Sequence, residues 1–227
     1  MTNLAPNPEL LRSLKRLVRG LSALFWGLPA ALLICVYTAR AEWLEWYAVI
    51  PPVLATAWLT FALSQMSYFQ PQERVWVESL DRARLLSLVL VGLCPFLFWW
   101  NRAPGEGYYL VSVWLLCAIG LLFLATVNLV LRRLTAMLPD ETLRLETNHF
   151  TSLNRGLLFG TVMLLVVYCV LRQLPDPHPN LVYLFIAIER VWLWLGIVLI
   201  LLPLAMTMAL LYKTKEIILD SVFDRTT

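Results

Sequence analysis

Charge is scarce in this chain, and so are the residue patterns on which most protein chemistry rests. Only 15% of the 227 residues are charged, against about 25% in an average soluble domain. There are two histidines, His149 and His178, and four cysteines, Cys35, Cys94, Cys117 and Cys169. Cys-x-x-Cys, a paired-histidine metal motif, Gly-x-Ser-x-Gly and a glycine-rich phosphate loop are all missing. No pair of carboxylates falls within an apolar run. Hydrolase, metalloenzyme and nucleotide-binding readings therefore have nothing to stand on. No catalytic residue, cofactor or metal site is expected. The scattered cysteines all fall in apolar stretches and read as buried thiols, not as a disulfide framework. Both histidines fall in expected loops, which excludes a bis-histidine haem inside a membrane.

What the chain has is apolar length. Sixty per cent of it is hydrophobic, and a soluble fold of this balance would expose large apolar patches. A membrane helix needs about 20 apolar residues. Six stretches are candidates: 20–38, 46–66, 85–100, 108–131, 156–172 and 185–212. The expected architecture is an all-α polytopic membrane protein with six transmembrane helices. Residues 1–19 form an amphipathic basic helix, 20–212 the transmembrane domain and 213–227 a tail. The first stretch is read as a span and not as a cleaved signal, because no good small-x-small site precedes Arg40.

The basic residues set an orientation. Arg12, Lys15, Arg16 and Arg19 precede the first span. Arg74, Arg82 and Arg84 follow the second, Arg132, Arg133, Arg144 and Arg155 follow the fourth, and Lys213, Lys215 and Arg225 follow the last. Arg40, Arg102 and Arg172 fall on the opposite side. The positive-inside bias puts both termini in the cytoplasm. Arginine far outnumbers lysine and there is no transit peptide, so a bacterial inner membrane is the expected location. Membrane lipids are expected partners. Nucleic acid is not, because no basic loop carries stacking aromatics.

A short pattern recurs before each odd-numbered span. Ser13-Leu14-Lys15-Arg16, Ser79-Leu80-Asp81-Arg82 and Ser152-Leu153-Asn154-Arg155 share Ser-Leu-x-Arg at offsets of 66 and 73 residues. Pro71-x-Glu73 and Pro139-x-Glu141 stand ahead of the second and third copies, as proline and acid do at helix starts. Three parallel helix hairpins are expected, each with a short amphipathic lead-in. A pseudo-threefold axis along the membrane normal would relate them. Parallel repeats occur in transporters, and they also arise by duplication of a structural unit.

Few residues stand out as functional candidates. Glu189 and Arg190 are adjacent charges in an apolar run from Leu181 to Tyr212. Counting back about 20 residues from Lys213 puts them at the outer interface, with Arg190 snorkelling. The competing reading buries them against separate partners as a functional pair. Pro29, Pro95 and Pro203 sit deep enough to kink their helices. Thr56, Thr60 and Ser64 share one face of the second span and serve close packing or a polar path. Asn128 is expected at the interface. Asp140, Glu141, Glu146 and His149 read as the charged face of a loop helix.

Two functional readings follow. The first is a non-catalytic membrane scaffold or accessory subunit, docking a membrane-protein partner or a second copy. The alternative is a transporter or channel for a lipid or weakly polar solute, whose path follows the axis past the kinked odd helices. On the scaffold reading with an interfacial pair, Glu189→Gln and Arg190→Gln leave complex assembly intact. Loss of the complex on gentle extraction of either variant would instead reveal a buried partner.

Overall fold

A computed structural model describes the backbone of residues 8–40, 46–103, 105–137, 141–172 and 179–223. Within these, the side chains of 8–11, 46, 142–143, 165, 168–172, 179–196 and 220–223 are outside the description. The described residues form helices and no strand: α1 (Pro8–Arg40), a 3₁₀ turn (Trp46–Val49), α2 (Ile50–Met66), α3 (Arg74–Leu93), α4 (Pro95–Arg102), α5 (Gly107–Ala136), α6 (Glu141–Arg172) and α7 (Pro179–Phe223).

Among the described residues, five helical stretches are long and apolar enough to cross a membrane: Arg12–Arg40, Tyr47–Met66, Arg74–Arg102, Gly107–Ala136 and Ile197–Leu219. The remaining expected span, 156–172, falls within α6. The span 85–100 crosses the junction of α3 and α4. Pro95 opens α4 there, and Cys94 before it keeps helical angles (φ −54°, ψ −37°). Pro51 and Pro52 occupy the first turn of α2, where the missing N–H groups have no intrahelical partner anyway.

The expected lead-in helices are not separate elements. α1 runs unbroken for 33 residues from Pro8, and α6 for 32 residues from Glu141. At 1.5 Å per residue these are about 50 Å and about 48 Å long, well beyond a hydrocarbon core of about 30 Å. The reason is a continuous stripe. Leu17, Leu21, Leu24, Leu28 and Ala31 lie at helical spacing and are all buried, so one packed face carries the basic segment straight into the span.

The helices form a ring in chain order. α1 packs on α2, α2 on α3, α3 and α4 on α5, α5 on α6, α6 on α7, and α7 back on α1, while α5 also touches α7 and α4 touches α1 across the ring. One end of this ring is rich in basic residues, and it is filled solidly. Leu17, Leu21, Leu63, Met66, Trp76, Leu80, Leu131, Leu134, Leu211 and Ile218 are all buried there with 0–1% exposure. Trp76 meets Phe69 edge-on at 6.4 Å, an arrangement favoured by the ring quadrupoles.

Hydrogen bonds tie α2 to α3. Arg84 donates to the Ser64 carbonyl at 3.2 Å and to Ser67 Oγ at 2.6 Å, so a cation caps the C-terminal turn of α2. Thr60 donates to Ser87 Oγ at 3.1 Å across the same pair. Arg16 lies 4.3 Å from the centre of the Tyr68 ring and braces α1 against the end of α2.

Close packing of α1 on α2 depends on glycine. A Cβ at Gly20 would stand 2.6 Å from Met66 Cγ and 2.9 Å from the Ala62 carbonyl oxygen. At Gly120 in α5 a Cβ would meet nothing within 4 Å. Alanine at the two sites is therefore expected to act with opposite sign. Gly20→Ala destabilises by about 1–3 kcal/mol through overpacking, while Gly120→Ala gains up to about 1 kcal/mol of helix propensity. Unfolding titrations of the two variants in mixed micelles measure both.

Candidate functional site

Away from the packed basic end the helices leave a partly open cavity of about 380 Å³, within the range of about 300–1,000 Å³ usual for small-molecule sites. All six segments of the ring contribute to its wall. Cys35 and Val36 come from α1, Thr56 from α2, Cys94 from the α3–α4 junction, Cys117 and Gly120 from α5, Thr161 from α6, and Ile200 and Leu204 from α7. Leucine supplies most of the rest, with Val113, Phe123 and Trp100.

The polar groups in this wall are few and mild. The thiols of Cys35 and Cys94 reach one another, and Thr56 reaches Cys94. The Thr56 hydroxyl is also turned back on its own helix, donating to the Pro52 carbonyl at 2.8 Å. No described cysteine is in a disulfide; Cys169 lies outside the described side chains. Such a wall binds by shape and dispersion, with a thiol or hydroxyl to orient a weakly polar group.

The three prolines expected to kink helices do not line this cavity themselves, but a chain neighbour of each does. Leu28, Cys94 and Leu204, each next to one of Pro29, Pro95 and Pro203, line the wall. Proline lacks an N–H, so Pro203 leaves the Leu199 carbonyl without its helical donor. α6 supplies the replacement. The Thr161 hydroxyl lies 2.8 Å from its own Leu157 carbonyl and 3.3 Å from the Leu199 carbonyl, a shared bond across the helix pair.

One turn beyond Pro203 lies a buried polar knot that joins α5, α6 and α7. Thr207 Oγ1 donates to the Pro203 carbonyl at 2.7 Å. It accepts from Asn128 Nδ2 at 3.0 Å and from Asn154 Nδ2 at 3.2 Å. A hydroxyl offers one donor and two acceptor sites, so Thr207 is fully used. The second N–H of Asn128 reaches the Leu124 carbonyl at 3.0 Å, and that of Asn154 the Pro203 carbonyl at 3.4 Å. Asn154 Oδ1 is buried without a partner among the described residues. Asn128 thus departs from the interfacial position expected of it: it is 1% exposed because its amide finds Thr207 across the bundle.

The Ser-Leu-x-Arg motifs do not share one environment. Ser79 is buried and donates to the Trp76 carbonyl at 2.8 Å, and Arg82 pairs with Glu78 at 2.6 Å on an exposed face. Ser13 is half-buried, and Arg16 rests over Tyr68. Ser152 and Arg155 are exposed on α6. Glu189 and Arg190 lie in the α7 backbone, with side chains outside the described residues. Of the acidic group, Glu141 pairs with Arg144 at 3.8 Å and Glu146 with Lys213, while His149 is exposed and Asp140 lies outside the described residues.

Sequence reading missed Asn154 and Thr207 as partners. The available signal was periodicity. Thr147, Thr151, Asn154 and Thr161 recur on one face of α6, and Thr207 and Thr214 on one face of α7. Thr207→Val should destabilise the protein by about 1–3 kcal/mol, because it orphans two buried amide donors. Thr214, whose buried hydroxyl has no partner among the described residues, should tolerate valine with no loss. Detergent unfolding of the two variants checks the contrast. No protein-family model, curated protein or solved structure matches this chain.

Proposed function

We propose that this protein binds and transports a lipid-soluble, weakly polar molecule, held in the cavity at the centre of its ring of membrane helices. The observation that carries the proposal is the cavity itself, about 380 Å³ of mainly apolar wall to which all six segments contribute. A bundle serving only as a scaffold gains from filling its axis, since an unfilled volume forfeits dispersion contacts along its whole lining. The prolines beside the wall support the same reading, because interrupted helices accompany binding sites in transporters.

The remaining parts of the proposal rest on sequence pattern. Six spans form three parallel hairpins, with both termini in the cytoplasm of a bacterial inner membrane. The clustering of basic residues at one end of the ring supports that orientation.

Gly120 provides the test. Gly120 lines the cavity and a Cβ there meets nothing within 4 Å, so a large side chain has room to start and would take up part of the cavity's volume. Wild-type protein, gently extracted and analysed by mass spectrometry, is expected to carry a defined apolar molecule at near-unit stoichiometry. Gly120→Phe should keep the wild-type melting temperature and lose that molecule. A wild-type protein that carries no such molecule, and comes out instead with stoichiometric protein partners, would overturn the proposal in favour of the accessory-subunit reading.

A further inference from the structure

A second concavity lies between α5 and α6 at the basic end of the ring, with a volume of about 790 Å³. It differs chemically from the central cavity. Arg132 from α5 and Arg155 from α6 line it, together with Asn148, His149 and Ser152. Its inner part is lined by Leu122, Leu129 and Leu158. No carboxylate is among its described lining residues.

The charges around it are already sorted. Glu141 is held by Arg144 and Glu146 by Lys213. Among the described residues no ion pair or hydrogen bond holds either the Arg132 or the Arg155 guanidinium, and both residues are exposed. Two unpaired guanidiniums therefore share one groove, each offering a planar fork of N–H donors suited to phosphate oxygens.

The groove's depth says what kind of phosphate. Asn128 and Asn154 both bond Thr207, so all three stand at one level of the bundle. Glu146 and Lys213 mark a second level nearer the basic end. Arg132 lies one turn nearer the basic end than Asn128, while Arg155 follows Asn154 directly and stands at the level of the knot, with Leu122 and Leu158 farther inward. A free anion would gain nothing from that apolar floor. A phospholipid would fill both parts, with its phosphate at the arginines and an acyl chain along Leu122, Leu129 and Leu158. Basic pockets between transmembrane helices hold anionic headgroups in this manner.

We infer that the α5–α6 groove is a binding site for the phosphodiester headgroup of an anionic membrane phospholipid, with Arg132 and Arg155 as its phosphate ligands. The site is separate from the central cavity and stands whether or not that cavity holds a transported molecule.

The test presents the full-length protein in neutral detergent with equal amounts of phosphatidylglycerol and phosphatidylcholine of matched chains, and counts retained lipid by native mass spectrometry. Wild-type protein is expected to favour phosphatidylglycerol by roughly tenfold. The double variant Arg132→Gln/Arg155→Gln should lose that preference. Ser152→Glu, which puts a carboxylate into the groove and leaves both arginines in place, should lose it as well. Arg82→Gln, on α3 and paired with Glu78, should keep it, and so should Gly120→Phe. An undiminished preference in the double variant or in Ser152→Glu would overturn the assignment. Release of the lipid by inorganic phosphate alone would overturn it too, since the groove would then be a site for a free anion.

Discussion

A backbone carbonyl in a bilayer has no water to turn to, and Pro203 puts that problem in the middle of the longest helix. The missing N–H frees the Leu199 carbonyl, and Thr161 of α6 comes across to it. One turn further along, Thr207 takes the Pro203 carbonyl, and the amides of Asn128 and Asn154 close on Thr207. Three helices are thereby held at fixed register by side chains that all answer to one stretch of α7. Apolar packing alone is weakly directional, and lipid tails compete for the same surfaces. The polar knot supplies the direction.

The two halves of the bundle are built on different rules. At the basic end, large side chains fill the axis, and glycine brings α1 so near to α2 that even one Cβ would collide. In the other half the same helices present Cys35, Cys94, Cys117 and Gly120, small groups that leave volume between them. Nothing in helix geometry requires the change, since the same spans run through both halves. One end is a plug, and the other leaves a chamber whose wall mixes these small groups with leucines, Phe123 and Trp100. The opposite predicted effects of alanine at Gly20 and Gly120 express this division at single sites.

How much of this was legible in the sequence follows from the range of each interaction. Apolar length is a local property: four of the six expected spans fall within single helices, 46–66 takes in the 3₁₀ turn ahead of α2, and 85–100 crosses the junction of α3 and α4. Helix ends were less legible. A basic, amphipathic segment such as Arg12–Arg19 looks like a separate surface helix, yet Leu17 and Leu21 continue the buried stripe of the span and no residue between them stops the helix. The polar knot was not legible at all. Asn128 and Thr207 are 79 residues apart in sequence, and nothing in either neighbourhood names the other. Asn154 was noticed only as the variable position of a motif, whereas its burial makes it a core polar residue. The prolines at 29, 95 and 203 were legible as breaks, but their shared position around one cavity is a product of the ring.

The arrangement also bears on how a bound molecule would enter. A route along the axis from the chamber to the basic end meets the knot first. Its bonds are weak obstacles, since intramembrane side-chain hydrogen bonds average about 0.6 kcal/mol each. The plug beyond is a stronger one. Trp76, Met66 and the leucines around them are fully buried, and parting them forfeits about 1.5–3 kcal/mol for each large side chain exposed to water. Exposure to lipid carries no such hydrophobic penalty, and three residues of the chamber wall, Val36, Cys117 and Ile200, are themselves exposed. On the proposed reading, exchange between the chamber and the bilayer is therefore cheaper than exchange with water at the basic end. That order of barriers suits a molecule that is already dissolved in the membrane and disfavours one that must arrive from the aqueous phase.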